Sequence, residues 1–278
     1  MYINDKKYKL NISIASQSDH FKSLIEGTDC YLPEGITHLA DSKCISCPTE
    51  NLIMPNSIEY IGDYCFYYGR MKTIQFSPNL KHIGNNCFQR CSSLETIVLP
   101  DSVEYIGDMC FYIAETIQNI QFPKSLTHLG ENLTNSSKLT FVDLSMCEKL
   151  LELNGCFNLC QRLNSIILPP NIQKIGDNLL SNYCPMSDIY IPSSIETISE
   201  KAFQNCKSLT TITIDKPTNS VRGAPWGATN ATVIWNDSLP LQEVDLTDYE
   251  YTMKGNDALI TKYIGNGGDI VWPTTEVK

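Results

Sequence analysis

The chain has 278 residues, of which 42% are hydrophobic, and its 31 Asp and Glu against 21 Lys and Arg give a net charge of −10. This length allows one or two ordinary domains or a single long repeat array. An acidic chain without a basic stripe is not expected to bind nucleic acid, and without an apolar run of about 18 residues it is not expected to insert into a membrane.

Residues 1–28 show no repeat pattern and are predicted to form an N-terminal cap. They begin MYINDKKYKLNISI, which lacks the apolar stretch of a secretory signal. Three explanations stay open: the sequence is a mature fragment, export follows another route, or the protein is not exported.

A short phrase recurs every 21–23 residues between residues 29 and 235, with its clearest copies at Ile61–Phe66 (IGDYCF), Ile83–Phe88 (IGNNCF) and Ile106–Phe111 (IGDMCF). A period of this length indicates a solenoid, in which each copy buries its apolar face only against its neighbours. We therefore predict a mostly β, leucine-rich-repeat solenoid of about nine rungs with short parallel strands. The small residue of the phrase falls at Cys44, Cys65, Cys87, Cys110, Leu133, Cys156, Leu179, Ala202 and Pro225.

Each copy has two halves. The first half has the pattern L-x-x-I-x-L, as at Leu94, Ile97 and Leu99, and a proline usually follows. Alternating apolar residues predict a short strand, and proline ends it because it has no N–H to donate to a ladder. The second half carries an apolar pair three residues apart, such as Val103 and Ile106, often followed by a glycine at a tight turn.

These phrases resemble the BspA-like leucine-rich repeat family, whose repeat has the form L-x-x-I-x-I-P-x-S-V-x-x-I-G-x-x-A-F-x-x-C. The clearest matches are Leu94–Phe111 and Ile189–Ile214, and the resemblance covers about residues 30–235. Repeat 141–164 departs from it, with CEKLLELNGCF in place of the P-x-S-V-x-x-I-G element, and Thr134 and Leu180 replace the aromatic residue. We expect those rungs to bulge or to pack loosely.

The twelve cysteines are predicted to be buried free thiols, because their main column also accepts leucine and alanine. Disulfides stay possible, since Cα atoms one rung apart lie ~4.7–4.9 Å from each other, within bridging range. Cys44 and Cys47 form a CxxC, the spacing of a redox pair or half a zinc site. Cys44 already belongs to the repeat column and no second CxxC exists, so we expect a structural role.

Catalytic motifs are missing from the sequence. The four histidines form no metal-ligand pattern, and no GxSxG, P-loop or GxGxxG after a strand occurs. We expect no catalytic residue, no metal site and no cofactor.

Two surfaces are candidates for binding. In each first-half strand, the residues that flank the central apolar position are predicted to face outward, and the column gains apolar side chains in its middle and later rungs. The β-propensity of an exposed sheet would explain this pattern equally well. We call these residues the candidate face: Gln75, Val98, Gln121, Phe141, Asp143, Ile167, Tyr190 and Thr213.

The second candidate is a line of rings just before the apolar residue of the second half. On outward-pointing side chains, such rings would form a ladder with neighbours ~4.7–5 Å apart. The ladder could stack against sugar rings or a partner's side chains, or its rings could simply pack on one another and stabilise the sheet edge. We call it the ring ladder: His38, Tyr60, His82, Tyr105 and His128.

Residues 236–278 are predicted to be a linker followed by a small β module. The segment Tyr249–Pro273 is similar to the short β segment that opens a further repeat block in BspA-like proteins. Either a further block begins here, or the module closes the C-terminal side.

The resemblance implies a cell-surface or secreted, non-catalytic module that binds a protein or polysaccharide ligand. The alternative is a structural spacer or stalk in a cell-surface or phage-tail-like assembly. The ligand, the source and the oligomeric state stay open.

Overall fold

The computed structural model describes residues 2–3, 25–135, 138–180, 184–236, 249–254 and 257–263. In these residues the chain is built from strands and turns without an α-helix, wound into a parallel β-solenoid of about nine turns. This confirms the predicted fold. No helix in the described ranges is long and apolar enough to cross a membrane.

Ten short strands, which we call the face strands, lie one per turn on one side of the solenoid. They fall into four separate sheets. Within each sheet the face strands pair in parallel with the next turn, as Ile97 does with Ile120 and Val142 with Ile166. The face strands are Asp29–Tyr31, Asn51–Ile53, Thr73–Gln75, Thr96–Val98, Asn119–Gln121, Phe141–Asp143, Ser165–Ile167, Asp188–Ile191, Thr211–Ile214 and Thr232–Trp235.

Eight further strands, the edge strands, come from the second half of the repeats. A continuous sheet runs from Ile36–Leu39 to His128–Leu129, and a separate sheet begins at Glu152–Leu153. The interruption falls at the irregular copy 141–164. The edge strands are Ile36–Leu39, Tyr60–Ile61, His82–Ile83, Tyr105–Ile106, His128–Leu129, Glu152–Leu153, Lys174–Ile175 and Thr197–Ile198.

Short pairings complete the strand inventory. Tyr2–Ile3 runs antiparallel to the first edge strand, and Ile25–Glu26 forms a hairpin with the first face strand. Phe111–Tyr112 pairs with Thr134–Asn135 between turns. The C-terminal hairpin pairs Tyr249–Lys254 with Asp257–Tyr263 and belongs to a separate compact unit, Leu239–Lys278. Most of the predicted cap 1–28 and of the segment 236–278 lies outside the described residues, so those boundaries stay predictions.

The core is one continuous apolar cluster along the solenoid. Phe88 stacks nearly parallel between Phe66 and Phe111, with ring centroids 5.3 and 5.7 Å away. Burying one such ring stabilises the fold by about 1.5–3 kcal/mol. At the last turn Trp226 takes the aromatic slot, fully buried, and packs edge-on against Trp235.

All twelve cysteines are buried, as their repeat slot predicts, and the structure holds each as a free thiol. Several thiols donate to carbonyl oxygens one turn away, as Cys206 Sγ does to Leu180 O at 2.8 Å. Burial raises the pKa of Cys91, Cys156 and Cys160 to about 12. Thiols of this kind stay protonated and inert at neutral pH.

Both residues of the CxxC belong to this core. Cys44 and Cys47 are buried. A thiol–thiol hydrogen bond with Cys30 lowers the pKa of Cys47 and raises that of Cys30. Among the described residues, no group of three or more His, Cys, Asp or Glu could hold a metal ion.

Candidate functional site

The candidate face is exposed as the strand pattern predicts. In each face strand from Thr96–Val98 to Ser165–Ile167 the central residue is buried and the two flanking residues are exposed. Thr213 is half-buried. The eight residues span many turns. Three large exposed side chains, Phe141 (47%), Ile167 (43%) and Tyr190 (49%), lie on successive strands, and Val98 (54%) lies two strands before them.

The outward side chains of the first turns are engaged with one another. The Asn51 amide donates to Asp29 Oδ1 at 2.7 Å, and the Thr73 hydroxyl donates to Asn51 Oδ1 at 2.6 Å. The hydrogen bond from Asn51 lowers the pKa of Asp29. The first turns therefore satisfy several of their outward polar groups among themselves, although Tyr31 and Val98 are exposed in the earlier turns as well.

The ring ladder forms a continuous stack. Ring centroids lie 4.3 Å apart for Tyr60–His82, and 4.4 Å apart for both His82–Tyr105 and Tyr105–His128, with interplanar angles of 5–10°. His38 continues the stack at 5.5 Å from Tyr60. The faces of the three middle rings are covered by their neighbours, so only ring edges are open to a ligand. Whether this ladder binds anything stays a prediction.

Electrostatics around the ladder follow from its partial burial. Desolvation lowers the pKa of His82, although the Asp63 carboxylate opposes that shift. Desolvation also raises the pKa of Tyr60 and Tyr105, helped by neighbouring carboxylates. These pKa shifts favour the neutral forms of His82, Tyr60 and Tyr105.

A second ladder runs beside the rings, built from side-chain oxygens just after the glycine slot. Each oxygen accepts a hydrogen bond from the backbone N–H of the next turn at 2.7–3.0 Å. It ties neighbouring turns together at their edge. We call it the acceptor ladder: Asp41, Asp63, Asn85 and Asp108 accept in turn, and the N–H of Glu131 is the last donor.

The acceptor ladder stops where the segment that follows an edge strand is one residue shorter than in the regular copies, although the period of 23 residues is kept. Ile61 and Cys65 are four positions apart, as in the other regular copies, whereas Leu153 and Cys156 are three apart. The Asn132 N–H consequently bonds to the carbonyl of Gly155. The irregular copy thus ends one edge sheet and starts another. Its core residues Leu150, Leu153 and Phe157 are fully buried, so the expected bulge or loose packing of that rung stays a prediction.

An open groove of about 600 Å³ lies at this interruption. Sequence reasoning did not identify it; the one available signal was the short spacing between Leu153 and Cys156. None of the candidate-face or ring-ladder residues lines it. Its polar lining consists of Glu131, Asn132, Asn154, Asn158, Lys174, Asp177, Asn178, Thr197 and Ser199.

The family described as BspA type leucine rich repeat region matches six copies in residues 37–152 and 153–231. A leucine-rich repeat protein from Bacteroides ovatus is similar in structure, with a TM-score of 0.63 and 26% identity, covering 75% of this chain. This chain spans 55% of that protein's length. No curated protein sequence matches the chain significantly.

Two further solved structures are similar to parts of the chain. The leucine rich repeat protein of T. pallidum has 24% identity and a TM-score of 0.49, with 54% of this chain and 72% of that one covered. A leucine rich cell surface protein from Faecalibacterium prausnitzii has 18% identity and a TM-score of 0.42, with 78% and 62% covered.

Proposed function

We propose that this chain, which belongs to the BspA-type leucine-rich repeat family, is a non-catalytic recognition module that binds a protein or polysaccharide through the candidate face. The observation that carries the proposal is the exposed apolar cluster of Phe141, Ile167 and Tyr190 on three successive face strands. Clustered apolar side chains on a surface mark interaction sites, and aromatic residues are enriched in the energetic centres of interfaces.

The contrast along the same face supports this assignment. Gln75 and Gln121 occupy the positions equivalent to Ile167 and Tyr190 in earlier turns. The fold therefore accepts polar residues at this position, and the later apolar ones are not required by packing. Val98 shows that an exposed apolar residue also occurs in this column in an earlier turn. The proposal therefore rests on the grouping of Phe141, Ile167 and Tyr190 on successive strands.

A non-catalytic role is supported by the chemistry of the described residues. Most of the thiols have pKa values raised by burial, and the exposed carboxylates are spread along the turns. A long regular face suits macromolecular ligands better than small substrates. Exposure on the cell surface or in the medium is part of the proposal, and it rests on the family resemblance.

The test is a glycan and matrix-protein array probed with the wild type and with the triple variant Phe141→Ala, Ile167→Ala, Tyr190→Ala. The matched control is Ile45→Ala, Met146→Ala, Leu151→Ala, which removes three exposed apolar side chains outside the face strands. We expect the face variant to lose the main signal and the control to keep it.

Equal signals from the wild type and the face variant would remove the candidate face from consideration. A wild type without any array signal would instead favour the spacer or stalk alternative, in which the array only holds other domains in position.

A further inference from the structure

At the groove, side chains in the acceptor-ladder positions do not bond the next backbone N–H group. In the regular turns the acceptor-ladder oxygens bind the next backbone N–H. Among the described residues, Glu131, Asn154 and Asp177 make no such bond to the following turn. Asp177 instead accepts from the Ser199 hydroxyl, and the Asn154 amide donates to Glu152 at 2.8 Å. Asn154 Oδ1 lies against Gly176 of the next turn, where an added Cβ would overlap it. The exposed Glu131 carboxylate is therefore the open acceptor in the lining of the groove.

Amide side chains supply matching donors. Asn158 donates to Asn132 Oδ1 at 3.1 Å, which aligns two amides along the groove. The Asn178 side chain lies in the groove and has no hydrogen-bond partner within the described part of the chain. A side-chain amide presents two N–H donors and one carbonyl acceptor in a single plane. That arrangement complements neighbouring hydroxyl groups, each of which both donates and accepts.

Charge and polarity narrow the class of ligand. The lining holds two carboxylates, Glu131 and Asp177, and one ammonium group, Lys174, which is already paired with Glu152 at 2.7 Å. An anionic ligand would be repelled there by an excess of negative charge in a chain of net charge −10. The two apolar residues of the lining, Ile175 and Ile198, are buried, so an apolar ligand would find no surface to cover.

We infer that the groove is a second binding site and that its ligand is a neutral saccharide. The volume of about 600 Å³ lies in the range of small-ligand sites. Sugar hydroxyls would bind the open carboxylate of Glu131 and the side-chain amide of Asn178. This site is separate from the candidate face. The inference rests on the proposed function in one respect, namely that the chain acts by binding a ligand.

The left-handed backbone of the groove permits a clean test. Asn132 and Asn178 have φ values of 50° and 53°, which glycine adopts without strain. The double variant Asn132→Gly, Asn178→Gly therefore removes two amides and keeps the backbone. The control Asn86→Gly deletes the same side chain at a φ of 54°, two turns earlier and outside the groove.

The measurement is calorimetric titration with neutral glucose, galactose, mannose and N-acetylglucosamine oligosaccharides, with heparin and sialyllactose as anionic probes. We expect saturable binding of at least one neutral oligosaccharide by the wild type and by Asn86→Gly. In the double variant the affinity should fall by about tenfold or more, the loss expected when hydrogen bonds worth ~1 kcal/mol each disappear. Thermal melts of the wild type and the double variant should stay close, whereas Asn86→Gly, which deletes a buried amide, should melt somewhat lower and still bind.

Three results would overturn the inference: no binding of any neutral probe, equal affinity in the double variant, or preference for the anionic probes. The variant Phe141→Ala, Ile167→Ala, Tyr190→Ala should bind the neutral oligosaccharide like the wild type. If that variant lost its array partner while the groove bound nothing, the proposed function would stand and this inference would fall.

Discussion

The edge of the solenoid before Gly130 and the edge after it share one core and differ at the surface. In the first region the edge strands form one sheet, the rings stack and the acceptor ladder ties each turn to the next. In the second region Glu152, Lys174 and Thr197 take the ring positions and a groove opens. A single missing residue between Leu153 and Cys156 separates the two. The repeat thus constrains the interior and leaves the edge free to acquire a site.

Truncation of a core ring should have the largest effect, and it should be similar in both regions. Phe88 and Phe157 are fully buried in equivalent slots. We expect Phe88→Ala and Phe157→Ala each to lower the free energy of unfolding by about 3–5 kcal/mol, measured by urea titration. If Phe157→Ala alone lowered the free energy of unfolding by less than about 1 kcal/mol, the second region would have a loosely packed interior. That result would contradict the claim that both regions share one well-packed core.

Glycine substitutions should separate the two regions. A Cβ on Gly107 would lie 2.5–2.7 Å from Asn85 and Gly84 of the preceding turn, whereas one on Gly155 would meet nothing closer than 3.5 Å. Gly107→Ala should therefore cost about 3 kcal/mol by overpacking. Gly155→Asn should cost less than about 1 kcal/mol, since asparagine tolerates its φ of 49°. If Gly107→Ala and Gly155→Asn lowered the melting temperature equally, the edge at Gly155 could not be more open than the edge at Gly107.

The ring ladder should make stability depend on pH in the first region. Burial lowers the pKa of His82 in the folded state, so the unfolded chain binds more protons in acid. The stability that this neutral ring contributes is therefore present above the unfolded pKa of about 6.5 and is lost as pH falls through the lower folded value. His82→Phe should flatten the dependence of the urea midpoint between pH 7.5 and 5, and an unchanged slope would refute the assignment.

Surface ion pairs should have the smallest effects and should not distinguish the regions. Lys81 bonds Glu59 at 3.0 Å in the first region, and Lys174 bonds Glu152 at 2.7 Å in the second, with all four side chains exposed. Lys81→Ala and Lys174→Ala should each cost at most about 0.5 kcal/mol, and less in 0.5 M salt. A loss of unfolding free energy above about 1 kcal/mol for Lys174→Ala that persists in high salt would mean that the Lys174–Glu152 pair stabilises the structure of the groove.

The period made the fold predictable because each slot has one neighbour above and one below. The burial of Cys65 and Phe66 and the outward direction of Phe141 and Ile167 all follow from phase alone. The groove could not be predicted from the sequence. The backbone can adjust to one residue fewer between Leu153 and Cys156 either by forming a bulge or by separating the edges of neighbouring turns. Which of these occurs depends on the turns on either side.

Restoring the missing residue tests the account most directly. Asn154→Gly combined with insertion of one aspartate between positions 154 and 155 would give the segment between Leu153 and Cys156 the regular spacing of four positions and an acceptor side chain. We predict that this variant loses neutral-oligosaccharide binding in calorimetry, keeps the array partner of the candidate face and melts at or above the wild-type temperature. Undiminished oligosaccharide binding by the restored turn would contradict the claim that the edge irregularity creates a site.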